Sequence, residues 1–293
     1  MQKRNRIVPG LLMLPFILVT LAVLAAIVNI LVQSLGYIPA FGLHDITLKY
    51  YIETLKRPEV LESLCVSLRI SIVASIGAAV IGTLVCAAMV RTRRTKGGML
   101  YAVRLPILVP HTVVAVFTVA LLAQSGLLAR MAYAFGFIND YSDFPMMLYG
   151  SGYVGVILAY LWKEIPFIAY YTLALMSSIS ESLGEAAENL GASPLKSFFH
   201  VTLPMSMPAI AKSFLIVLVY SFGAYELPML LGATTPKAFP VYTYIAFIKP
   251  DFKDRPYAMA MNGITLIIAL IMTVCYAIIM HRMMKRLGGG DNE

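Results

Sequence analysis

Residues 70–90 read ISIVASIGAAVIGTLVCAAMV, and residues 91–96 read RTRRTK. The first stretch carries no charge, and the second opens on Arg91 and holds Arg93, Arg94 and Lys96. A helix needs about 20 apolar residues to cross a hydrocarbon core of about 30 Å. Residues 70–90 meet that length, and the basic cluster behind them suits a membrane surface.

The same pattern recurs along the chain. Charges bracket uncharged runs at Ile7–Leu43, Leu105–Ala129, Phe144–Trp162 and Pro256–Met280, and a shorter run, Ser213–Tyr225, spans only if it continues past Glu226 to Leu231. Hydrophobic residues make up 59% of the 293 and charged residues 13%, against about 25% charged in a soluble domain. Backbone polar groups in lipid need internal partners, which helices of this length supply. The expectation is an all-α membrane protein, a single transmembrane domain over 1–293 with about six transmembrane helices near 8–33, 64–90, 102–123, 148–176, 208–231 and 257–280.

The net charge of +8 is distributed at helix ends, so it calls for lipid contact and for no nucleic acid. Lys3, Arg4 and Arg6 precede the first helix, and Arg282, Lys285 and Arg286 follow the sixth. With the cluster at 91–96 they put both termini in the cytoplasm by the positive-inside rule, although Lys237, Lys249, Lys253 and Arg255 fall in the last outer loop. The first apolar run exceeds a signal-peptide core and reads as a retained helix. Cys65, Cys86 and Cys275 lie in or beside apolar segments without metal-ligand spacing, and His44, His111, His200 and His281 read as packed or solvated. No metal or cofactor is expected. The Gly288-Gly289-Gly290 tail reads as a flexible end.

The segment 177–207 departs from the charge rule. It holds Glu181, Glu185 and Glu188 against Lys196 alone. Leu183, Ala186, Ala187 and Leu190 follow i, i+3, i+4 and i+7 and predict a short amphipathic helix, which Gly191 ends. Ser193 then caps a second helix opening on Pro194. The three glutamates, spaced i+4 and i+3, share a side and repel one another, which a basic partner surface or simple solvation offsets.

Glu185-Ala186-Ala187-Glu188-Asn189-Leu190-Gly191, followed after nine residues by Val201-Thr202-Leu203-Pro204, resembles the EAA loop of binding-protein-dependent importer permeases. That pattern is EAA, three residues, Gly, nine residues, Ile, one residue, Leu-Pro, and only Val201 departs from it. Leu105-Pro106 with Pro110, and Phe222-Gly223-Ala224-Tyr225-Glu226-Leu227-Pro228, look like the spermidine/putrescine branch. The resemblance implies a cytoplasmic coupling helix between helices four and five that docks on a separate ATP-binding-cassette ATPase. It further implies a second, related permease subunit, an extracytoplasmic solute-binding protein and the bacterial inner membrane. On it, Glu185 is the charged anchor, Ala186, Ala187 and Leu190 the packed face, Gly191 the turn, and Leu203 and Pro204 the motif's end. Hydrolysis belongs to the partner, because Gly191–Ser197 carries Lys196-Ser197 but Leu195 where a phosphate-binding loop needs glycine.

Lys163 and Glu164 fall inside helix four, where an ionisable group costs about 2.5–3.5 kcal/mol and faces a bundle interior or aqueous cavity. They line a translocation path with Tyr160 and Trp162, or they form structural ion pairs. Glu226, beside Tyr225 and Pro228 near the outer end of helix five, invites the same two readings, while Tyr220 suits an interfacial aromatic belt. Such a path fits a polyamine or a similar small polar solute. An ion-driven secondary transporter would also use Lys163 and Glu164, but it leaves the EAA-like loop without a role. The topology makes a direct prediction. In a cysteine-free background, Ser142→Cys should react with an impermeant thiol reagent applied to intact cells, and Ser182→Cys only after lysis. External labelling of Ser182→Cys would reverse the orientation.

Overall fold

The structure is a computed structural model that describes residues 7–287. Lys3, Arg4, Arg6 and Gly288–Gly290 lie outside the described residues, as does the side chain of Arg286. Among the described residues every regular element is helical: α1 (Ile7–Ser34), α2 (Lys49–Leu55), α3 (Pro58–Arg91), α4 (Gly98–Leu108), α5 (His111–Leu122), α6 (Leu127–Ala134), α7 (Val154–Ile179), α8 (Glu185–Asn189), α9 (Pro194–Ser197), α10 (Leu203–Gly223), α11 (Glu226–Leu231), α12 (Phe239–Phe247) and α13 (Arg255–Leu287). Among the described residues six segments are long and apolar enough to cross a membrane, from Leu12–Ser34 to Phe252–Met283. The all-α membrane fold is as expected.

The chain resolves into two compact units. One comprises residues 1–60 and 243–268. Within it no residue of the most apolar window of α1 is buried, which suits a helix facing lipid. The Tyr51 hydroxyl meets Ser34 Oγ at 2.8 Å, and Tyr257 donates to Glu53 while the Arg57 guanidinium lies 4.6 Å over its ring. These contacts fasten α2 to the end of α1 and the start of α13.

The other unit comprises residues 61–242 and 269–293. At its centre α7 packs along α10 and α4. The face that α3 buries carries a row of small polar residues: Ser63, Ser67, Ser71 and Ser75, spaced by four, are all but inaccessible, with Ala74 and Ala78 beside them and with the larger Ile70 and Met89 buried on the same helix. Its outward residues are Ile72, Val73, Ile76, Val80 and Leu84, all exposed. A water-soluble helix would reverse that order. In lipid, outward apolar groups cost nothing and small inward residues let helices approach. Ser63 donates to Lys237 O at 2.7 Å, Ser71 to Leu68 O at 3.0 Å and Ser75 to Ile72 O at 3.3 Å, and Ser67 Oγ accepts from Phe239 N–H at 2.7 Å. Each of the four serine hydroxyls thus has a partner, whereas Thr83 Oγ1 on the same helix has none among the described residues.

Two expected helices are broken. The third, placed at 102–123, is α4 and α5 separated at Val109, which is extended (φ −71°, ψ 128°) because Pro110 disfavours helical geometry in the residue before it. The fifth, placed at 208–231, is α10 and α11 separated at Ala224, also extended (φ −75°, ψ 134°). The second and sixth are longer than expected and the fourth begins later, at Val154, after a loop that turns through left-handed Tyr149 and Tyr153 (φ 59° and 55°). Tyr153 Oη donates to Pro236 O at 2.7 Å, and burial raises the pKa of its phenol.

Gly82 sits where α3 crosses α7: a Cβ there would lie 2.8 Å from Ile165 O and 3.0 Å from Ile168 Cβ. Backbone cannot yield as a flexible side chain does. Gly82→Val should therefore destabilise the protein by about 1–3 kcal/mol, read as a lower thermal midpoint in detergent, whereas the exposed Val80→Leu should leave it unchanged.

Candidate functional site

The segment between α7 and α10 is a helical elbow. α7 continues through a wide π turn, Ser180–Gly184, directly into α8, and α9 continues through a second π turn, Phe198–Thr202, directly into α10. Between the arms Gly191 is left-handed at φ +93°. Its N–H bonds Glu188 O at 2.9 Å and that of Ala192 bonds Ala187 O at 3.0 Å, the pair of hydrogen bonds that closes a Schellman turn. Ser193 Oγ accepts from Lys196 N–H at 3.4 Å, with Pro194 at the first helical position. Ser197 Oγ donates to Gly184 O at 3.0 Å, pinning one arm to the other in the buried crook. The bend is thus fixed by its own hydrogen bonds.

Large apolar side chains stand exposed on the elbow beside its charged ones. Leu190 is 90% exposed, Leu195 58% and Phe199 57%, while Ala186 is exposed and Ala187, Leu203 and Pro204 are half-buried. The glutamates do not share a side as their spacing predicts. The π turn after Glu181 shifts the register, so Glu181 accepts from Ser177 at 3.0 Å while Glu185 and Glu188 line a separate cleft of about 550 Å³ against the end of α3. Glu185 Oε1 lies 3.0 Å from Arg93 Nη2 across that cleft. Arg93 itself is left-handed, φ +53°, at a cost of about 1–2 kcal/mol for a residue with a Cβ. An exposed ion pair contributes about 0–1 kcal/mol. The pair therefore does not offset the strain. Sequence reading missed Arg93 because it sought a counterpart for the acidic residues inside the loop.

A second polar group gathers at the helix breaks. Lys163 and Glu164, adjacent on α7, serve different elements: Lys163 Nζ donates to Val109 O, at the α4/α5 break, at 2.5 Å, and Glu164 Oε1 accepts from Ser221 Oγ, on α10, at 2.5 Å. Glu164 is only 5% exposed, and Tyr160, one turn away, is fully buried. Trp162 is exposed, Tyr225 is half-buried before α11, and Glu226 is the exposed first residue of α11. His111, the first residue of α5, joins them: its Nε2 is 2.8 Å from Tyr220 Oη and its Nδ1 is 3.4 Å from Glu226 Oε2. His111 and Tyr220, read as packing and belt residues, thus belong with the predicted group. A proline immediately before His111 was the available signal, but not where that break would dock.

The geometry has counterparts. Residues 79–287 match the family described as binding-protein-dependent transport system inner membrane component. The chain is 28% identical over 197 residues to the putrescine transport system permease protein PotI of Escherichia coli (strain K12), covering 62% of this chain and 64% of that protein. The chain therefore spans a little under two thirds of PotI. It is 25% identical over 282 residues to the probable ABC transporter permease protein YurN of Bacillus subtilis (strain 168), covering 94% of this chain and 96% of YurN. Its fold is similar to a chain of the bacterial alginate ABC transporter in complex with alginate pentasaccharide-bound periplasmic protein, with a TM-score of 0.77, 18% identity and 99% and 98% of the two chains covered. The matched family segment takes in the whole elbow, both helices that frame it and the polar group at the breaks, and on that match the chain belongs to the binding-protein-dependent transport system inner membrane component family.

Proposed function

We propose that this chain is the permease subunit of an ATP-driven importer in the bacterial inner membrane, with both termini and the elbow in the cytoplasm. The observation that carries the reading is the elbow: a bend rigidly capped at Gly191 that joins two membrane helices without a break and exposes Leu190, Leu195 and Phe199. Apolar groups held on a rigid projection outside the spans fit a socket in another protein. An ATPase that closes on nucleotide would displace the elbow and drive α7 and α10, whose backbone is continuous with it. ATP hydrolysis resides in that partner chain. An ion-driven transporter has no use for such an elbow.

The whole chain, on this reading, works as one permease domain beside a second, related permease, with a solute-binding protein delivering the substrate from outside. The second permease is what the resemblance to polyamine-type importers implies, and the periplasmic protein in the alginate complex supports the delivery step. Tyr160, Trp162, Lys163, Glu164, Tyr225 and Glu226 form this chain's half of the path. Lys163 is held by a backbone carbonyl, which leaves the exposed Glu226 carboxylate as the accessible charge and favours a polyamine or similar small polar solute. Glu226→Gln should then raise the KM for uptake of a cationic solute about tenfold, the equivalent of one charge-assisted hydrogen bond, with kcat little changed. An unaltered KM would remove Glu226 from the path.

Two variants test the docking. Leu190→Asp puts a charge on the apolar face, and Gly191→Val forces a β-branched residue into a left-handed position at a cost of about 1–3 kcal/mol. Neither alters a residue of the membrane-crossing helices. Each should lower co-purification of the ATPase and uptake together while the permease accumulates normally. Wild-type ATPase association and uptake in both would overturn the coupling role.

A further inference from the structure

The ends of α3 and α8 close with the same pair of hydrogen bonds and contrast in the residue at the left-handed position. Arg94 N–H bonds Met89 O at 3.0 Å and Arg93 N–H bonds Val90 O at 3.0 Å, the same two closing bonds that Ala192 and Gly191 make at the end of α8. The left-handed position is glycine in α8, as such turns prefer, and arginine in α3. Glycine would make the α3 turn without strain, so the turn itself does not require Arg93. Its ion pair does not repay the strain either, because the two side chains are 86% and 53% exposed. What the left-handed turn achieves is placement. It aims the Arg93 guanidinium across a cleft, lined by Ala87 and Ala88 of α3 and by Leu195 and Phe199 of the elbow, onto Glu185, 92 residues away in sequence.

We infer that Arg93 is a positioning residue that fastens the elbow to the end of α3, so that a displacement of the elbow moves α3 together with α7 and α10. The inference rests on the ATPase-docking reading above. Backbone continuity carries motion from the elbow to α7 and α10, but α3 has no such continuity with α8 or α9. Phe198 and Leu203 pack into the apolar cluster that holds Cys86 and Met89 of α3, but on the Arg93 side an open cleft lies between α3 and the elbow, and the guanidinium bridges it. Glu185 is then engaged by its own chain, and docking falls first to Leu190, which is 90% exposed and outside the cleft.

The test is a double-mutant cycle on Arg93→Gly and Glu185→Gln. Each is reconstituted in proteoliposomes with the second permease, the ATPase and the binding protein, and the readout is solute imported per ATP hydrolysed. Arg93→Gly keeps the turn and removes the strain, so its thermal midpoint and its ATPase co-purification should equal or exceed those of the wild type. Its transport per ATP should fall about threefold or more, and the double variant should be no worse than the poorer single one, as two residues acting through one contact require. Arg93→Lys should recover part of the loss. Wild-type coupling in Arg93→Gly would overturn the tether, as would losses that multiply in the double variant. The docking reading fails separately: Leu190→Asp would then keep its ATPase, whatever Arg93 does.

Discussion

A backbone carbonyl or amide left unpaired in hydrocarbon costs several kcal/mol, and this requirement organises the second compact unit. Unbroken helices meet it by themselves. The chain breaks two of its spanning segments, at Val109–Pro110 and at Ala224, and each break releases polar groups that some other element has to satisfy. α7 supplies two adjacent ionisable residues: Lys163 donates to the Val109 carbonyl at the first break, while Glu164 accepts from the Ser221 side chain, three residues before Ala224, and pairs no backbone group there. At the first break a charge that would be costly on its own becomes the cap of an interrupted helix.

The breaks create opportunity as well as cost. An interrupted helix turns its next residue away from the packed interior, and His111 and Glu226, the first residues of α5 and α11, meet there within reach of Tyr220. Polar side chains at partial exposure among apolar helices are the means by which a membrane protein handles a hydrated solute. The elbow between α7 and α10 applies the same economy. π turns, a left-handed Gly191 and the hydrogen bond from Ser197 to Gly184 let two helices reverse direction with their backbone groups paired. Rigidity of that kind is what a force-bearing connection needs, and it leaves the apolar side chains of the elbow facing outward.

The sequence by itself determined the fold class, because the length of uncharged runs and the charges at their ends are local quantities set by the bilayer. It determined the elbow too, since Gly191, Ser193 and Pro194 each act through their own backbone conformation, and both caps form as their residues predict. Only the tertiary structure decided which residues meet. Arg93 and Glu185 are 92 residues apart and His111 and Tyr220 are 109 apart, and no periodicity within either segment encodes those pairings. The side that each glutamate takes was decided there as well: Glu181 accepts from Ser177, while Glu185 and Glu188 line the cleft against α3. Local chemistry fixes local geometry; contacts between distant helices depend on crossing points such as Gly82 against Ile165, which exist only once the helices are packed.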